Sequence, residues 1–120
     1  MVFHFPPISG GGVVVIVELA NKLAQLGHEV TILTPDLEWD GEKYEPELDK
    51  KIIVHKVTTP SKSNLKIAAR RCFKNMKNMG VKLGQQNKYD FIFSIFHPFH
   101  MVPKAAVSCG NELKIPVIIK

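Results

Sequence analysis

Five short runs of β-branched and aromatic residues, at 1–5, 29–34, 52–57, 91–96 and 115–119, are separated mostly by stretches with helical spacing. This alternation constrains the fold more than any other feature of the chain. A strand that follows a helix back to the same sheet must run parallel to the strand before it, with the helix covering one face. The first run is stopped by Pro6-Pro7, which remove two backbone donors, and Pro35 and Pro60 close the second and third. The fourth run is apolar throughout, which predicts burial on both faces.

Three helices are expected. The first spans about 13–25. Its β-branched cluster Val13 to Val17 favours a strand locally, but Glu18-Leu19-Ala20-Asn21-Lys22-Leu23-Ala24 and the stop at Gly27 favour a helix. The second spans about 64–86, capped by Ser61 or Ser63, with Gly80 and Gly84 predicting a break in its second half. The third spans about 102–113, with Pro103 suited to its first turn. Residues 36–50 read as a long acidic loop. The element order β-α-β-β-α-β-α-β gives an α/β, Rossmann-like, doubly wound and mainly parallel sheet of about five strands flanked by helices. Ligands bind such sheets beyond the carboxyl ends of the strands.

With 120 residues and 45% hydrophobic content, the chain fits one domain with its own core, spanning 1–120. No run of about 18 apolar residues is present, and the short Val13–Val17 run has no charged stretch before it. A membrane span and a signal peptide are therefore not expected, and the expected location is the cytoplasm. Cys72 and Cys109 are far apart and read as reduced, small apolar packers. No pair of histidines has ligand spacing, so no metal is expected.

Charge is unevenly placed. Seven of the eleven acids fall between Asp36 and Asp49, while residues 62–88 hold eight of the sixteen basic residues and no acid. Lys66, Arg70, Arg71, Lys74 and Lys77 alternate with Leu65, Ala69, Cys72, Phe73 and Met76, giving an amphipathic helix with a cationic face. Two readings stand: a solvated face, or a surface that meets an anionic membrane, peripherally and from the cytoplasmic side. Nucleic acid is not expected, because aromatic residues are not interleaved for base stacking.

The run Gly10-Gly11-Gly12 lies between the first strand and the first helix. Glycines there let a backbone approach a ligand and leave the first helical amides open to an anion. The spacing is not the dinucleotide fingerprint, which needs a glycine at Val15, and no Gly-Lys-Ser/Thr follows as in a P-loop. A dinucleotide site is further disfavoured by Asp36, which follows Pro35.

The series Phe5-Pro6-Pro7-x-x-Gly10-Gly11-Gly12, followed by Glu18-Leu19-Ala20 and Gly27-His28-Glu29-Val30-Thr31, resembles the amino-terminal domain of family 4 glycosyltransferases, which have the GT-B fold. Tyr89-Asp90-Phe91-Ile92, His97-Pro98-Phe99 and Ile115-Pro116-Val117-Ile118 fall where that family has corresponding segments. The resemblance implies the acceptor half of a two-domain retaining transferase. Its co-substrate is a nucleotide-sugar, its acceptor a sugar or lipid-linked hydroxyl, and it has no cofactor. It further implies that Gly10, Gly11 and Gly12 face the donor diphosphate, with His97 and Phe99 near substrate and His97 the catalytic candidate. The family's donor domain, and a His-bearing segment after the fifth strand, would fall past Lys120. The expectation is therefore a chain inactive alone, completed by a carboxyl-terminal domain or a partner subunit. The competing expectation is a non-catalytic binding domain.

Overall fold

The computed structural model describes residues 1–3, 11–36, 46–58, 65–96 and 101–120. Its elements are β1 (Val2–Phe3), α1 (Gly11–Gln25), β2 (Thr31–Asp36), β3 (Ile53–Thr58), α2 (Leu65–Gln86), β4 (Ile92–Ser94), α3 (Met101–Leu113) and β5 (Val117–Ile119). This is the order expected from the sequence. The strands form one sheet in the order β3-β2-β1-β4-β5, with every neighbouring pair parallel. The two residues of β1 hold the centre: Val2 and Phe3 pair with Ile32 and Leu33 on one side and with Phe93 and Ser94 on the other.

Successive strand residues point to opposite faces, so each buried strand feeds two cores. Val2, Ile32 and Phe93 pack with Ile16, Ala20 and Ala24 of α1. Phe3, Leu33, Val57 and Ile92 pack with Cys72 and Met76 of α2 and with Val102, Ala105 and Cys109 of α3. In α1 the burial of Ile16, Val17, Ala20 and Ala24 along one helical stripe outweighs the strand preference of its valines. The helix ends in a Schellman turn. Gly27 has φ 91°, its N–H donates to Ala24 O at 3.1 Å, and His28 N–H donates to Leu23 O at 3.0 Å. At the end of α3 the same 6→1 bond joins Ile115 N–H to Gly110 O at 2.9 Å, but the left-handed position is taken by Lys114, with φ 56°.

Two sequence expectations are corrected. Helix α2 does not break at Gly80 and Gly84; it runs unbroken from Leu65 to Gln86. The glycines are packing positions. A Cβ on Gly80 would lie 2.7 Å from Phe3 Cζ and 2.9 Å from Cys109 Sγ, and one on Gly84 would collide with Leu113. They let α2 lie close against α3 and β1. Strand β2 does not stop before Pro35 but continues to Asp36. Val30 O accepts from Ile53 N–H, so the even-numbered residues of β2 bond toward β3 and Pro35 faces β1. Among the described residues pairing with β1 runs to Leu33, and the missing N–H of Pro35 costs the ladder with β3 no bond.

The end of the acidic stretch docks on α1. Asn21 Nδ2 donates to Glu47 O at 2.9 Å, and Asp49 N–H donates to Asn21 Oδ1 at 2.8 Å. This holds the connection that leads into β3.

Candidate functional site

The chain reverses direction across the sheet between β1 and β4. From β1 it passes through α1 to β2 on one side, and from β4 through α3 to β5 on the other. The connections leaving the carboxyl ends of these two central strands therefore diverge, and a crevice opens between them. Residues 4–10 are one of these connections and 97–100 the other. By sequence, the glycine run closes the first connection and enters α1, and His97 opens the second. Gly10, His97 and Phe99 themselves, like His4 and His100, lie outside the described residues.

The described rim of the crevice is α1's first turn and the end of β4. Helix α1 opens Gly11-Gly12-Val13-Val14 with no acidic residue in its first turn, so nothing on the helix itself neutralises the positive end of its dipole there. Gly12 is exposed, and a Cβ on it would touch Ile95 Cδ1 at 3.4 Å. The first helical amides therefore stand beside the tip of β4. Val14, Val15 and Phe96 are exposed at the same end, Phe96 by 61%. The rim combines open backbone donors with apolar side chains. Under it, Ser94 is fully buried and its Oγ lies 3.5 Å from Phe3 O. Thr34 is also buried, and its Oγ1 has no hydrogen-bond partner among the described residues.

Asp36 is the last residue of β2 and is exposed on this carboxyl edge. That is where a Rossmann-type sheet can hold a ribose hydroxyl. The sequence reading, which ended the strand before Pro35, discounted this position. What departs from a dinucleotide site is the glycine spacing, with Val15 where a third glycine would stand. Ile95 and Ile67 also went unremarked in the sequence. Only the paths of β4 and α2 reveal where they stand.

Of the basic residues singled out, Lys66, Arg70, Arg71 and Lys74 are exposed along α2. Lys77 differs: it is partly buried, and its Nζ lies 2.8 Å from Glu112 Oε2 of α3. Cys72 and Cys109 are both buried and in no disulfide, and burial pushes the Cys109 thiol up to about 11, so it stays protonated and unreactive. Among the described residues, no three His, Cys, Asp or Glu side chains gather as a metal set, and no helix is long and apolar enough to cross a membrane.

Two clefts open at the other, amino-terminal edge. The larger, about 460 Å³, is lined by His28, Lys51, His55 and Tyr89 among others. Tyr89 Oη lies 3.1 Å from Thr31 Oγ1, tying the segment before β4 to the start of β2. This is a bracing contact, far from the crevice.

The sequence matches the profile of glycosyltransferase family 4 over residues 9–119. No curated protein matches it. Among solved structures, apo UGT2 of Phytolacca americana superposes with a TM-score of 0.66 at 15% sequence identity, covering 98% of this chain and 28% of that one. At that identity the likeness is one of fold. The chain spans about 28% of the length of that protein.

Proposed function

Because the chain belongs to glycosyltransferase family 4, we propose that its carboxyl-edge crevice is the diphosphate and acceptor side of a sugar transferase. The reaction moves a sugar from a nucleotide-sugar to a hydroxyl acceptor. The bond from the anomeric carbon to the diphosphate oxygen breaks and its electrons leave with the diphosphate. The acceptor oxygen forms the new bond and its proton is released. Charge grows on the leaving diphosphate, so donors fixed in advance around it lower the barrier.

The observation that carries this reading is the placement of α1. Its glycine-opened, acid-free first turn stands at the switch point of the sheet. The amides of Gly11 and Gly12 take the diphosphate, with Gly10 preceding them in the same run. His97, in the connection that follows β4 in sequence, is assigned a hydrogen bond to an acceptor hydroxyl or the transferred sugar, with Phe99 a substrate contact from the same connection. A donor-gripping second domain, in the same polypeptide or a partner subunit, completes the site.

Amide-resolved NMR titration of the chain with UDP, and separately with inorganic pyrophosphate, tests this. Both should move the Gly11 and Gly12 resonances. Gly12→Asp places a carboxylate in the first turn, where a Cβ has van der Waals room. It should weaken UDP binding by roughly tenfold while leaving the helix intact. Shifts confined to the amino-terminal edge, or affinity unchanged in Gly12→Asp, would refute the assignment.

A further inference from the structure

Strand β2 buries two threonines on opposite faces of the sheet. Thr31 shares the face of Leu33, toward α2 and α3, and its Oγ1 accepts from Tyr89 Oη at 3.1 Å. Thr34 shares the face of Ile32, toward α1, and is 3% exposed. Its Oγ1 has no hydrogen-bond partner among the described residues. A buried hydroxyl left unpaired costs a fold stability, and such groups are rare enough to need a reason. Valine has nearly the same shape, suits a strand as well and carries no such cost. Packing therefore gives no reason for a hydroxyl at this position.

The place of Thr34 supplies one. Ile32 and Ile16 meet in the α1 core. Thr34 is two residues farther along β2, roughly 7 Å toward the carboxyl edge. Helix α1 runs back against the strands, so the four residues from Ile16 to Gly12 cover about 6 Å in the same direction. Thr34 and the first turn of α1 thus lie at one level. The register agrees. Leu33 and Ser94 both pair with Phe3, so Thr34 and Ile95 stand one step beyond it on either side, about 10 Å apart. Ile95 packs on the α1 core and is the side chain that a Cβ on Gly12 would touch. The acid-free first turn of α1 is therefore flanked by a hydroxyl on its β2 side and an apolar side chain on its β4 side. Asp36, two residues beyond Thr34 and exposed, repels an anion lying farther out, which confines one to the turn.

We infer that Thr34 is a ligand-binding residue of the crevice: its hydroxyl donates a hydrogen bond to an oxygen of the diphosphate held on the amides of Gly11 and Gly12. A turn about χ1 exchanges the hydroxyl with the methyl in the same space, so the donor swings to the ligand without a new cavity. The inference rests on the diphosphate reading of the crevice and adds a side chain and a consequence to it. The fold leaves this hydroxyl unpaired and the ligand satisfies it. Folding stability and ligand affinity therefore pull in opposite directions at one residue.

Urea unfolding, and amide-resolved NMR titration with inorganic pyrophosphate and with UDP, test this on Thr34→Val, Thr34→Ser and Thr31→Val. Thr34→Val should raise the urea midpoint, because an unpaired buried hydroxyl is gone. It should also weaken both probes by the same factor, roughly tenfold, as a lost hydrogen bond to a charged group would. Thr34→Ser keeps the hydroxyl and should bind as the parent does. Thr31→Val takes away the hydroxyl that Tyr89 engages, so it should lower the midpoint and leave binding unchanged. If both probes still move the Gly11 and Gly12 amides but Thr34→Val binds as tightly as the parent, the inference fails and the diphosphate reading stands. If neither probe moves those amides in the parent, both fail. A Thr34→Val midpoint as low as that of Thr31→Val, an equal loss of affinity in Thr34→Ser, or a loss confined to UDP also overturns the assignment.

Discussion

A glycine inside a helix normally costs about 1 kcal/mol relative to alanine, so replacing it should stabilise the protein. Close packing around α2 and α3 offsets or reverses that expectation by different amounts at three positions. At Gly80 the new methyl would meet Phe3 Cζ at 2.7 Å and Cys109 Sγ at 2.9 Å, and both side chains are 0% exposed. Neither can move without disturbing the centre of the sheet. Overpacking of this kind costs about 1–3 kcal/mol, so the net change at Gly80→Ala is a loss of about 1–2 kcal/mol. At Gly84 the obstacle is the end of the partly buried Leu113 side chain on the last turn of α3, which can turn aside. Gly84→Ala should therefore be near neutral. At Gly110 the methyl meets Val117 and, at 2.8 Å, the backbone carbonyl of Ile115, which belongs to the turn closing α3. Backbone cannot step aside, and Gly110→Ala should cost the most, about 2–3 kcal/mol. Urea unfolding followed by circular dichroism reads all three, provided the slope of free energy against denaturant is unchanged. If Gly80→Ala raised the midpoint as a solvent-exposed glycine would, or if Gly84→Ala were the worst of the series, the close-packing account of these glycines would be wrong.

Two further predictions concern the ends of elements. Lys114 occupies a left-handed position, φ 56°, that glycine fills without strain. Lys114→Gly should raise stability by about 0.5–1 kcal/mol in the same urea experiment. The Met1 amine donates to Phe91 O at 3.0 Å, and burial, opposed by the nearby Asp90 carboxylate, lowers its pKa from 8.0 to about 6. Between these values the unfolded chain binds the extra proton and the folded chain does not, so stability should rise with pH from about 6 to about 8. The two-unit shift caps the change at about 2–3 kcal/mol. Acetylating the amine should flatten that slope, which urea midpoints at the two ends of the range would show.

The fold was legible because each strand run differs from each helix run in period, and because proline or glycine marks most boundaries. Its misreadings share one cause. Whether a proline ends a strand depends on which neighbour its N–H would have faced, and Pro35 turns that position away from β3, the strand it runs beside as far as Asp36. Whether a glycine breaks a helix depends on what packs there, and Gly80 is held between Phe3 and Cys109, each far away in sequence. The site was legible in part. The glycine run between strand and helix pointed to the carboxyl edge of the sheet, where the first turn of α1 stands beside Ile95 after β4. The exposed rank of Ile67, the ion pair of Lys77 and the place of Asp36 at the tip of β2 follow only from the path of the chain.

The centre of the sheet is also the first of its five strands in sequence. Val2 and Phe3 wait for Ile32 and Leu33, then for Phe93 and Ser94, some ninety residues later. Closing so long a loop is slow, because its entropy is lost before the contacts that repay it form. On the ribosome the first strand of this sheet to emerge is thus among the last to be fully enclosed. Until β4 arrives, one whole edge of β1 offers unpaired backbone groups to any other strand in reach. Synthesis that stalls before residue 94 would leave a half-sheet open at its middle, and that is where a chaperone or a second nascent copy would find it.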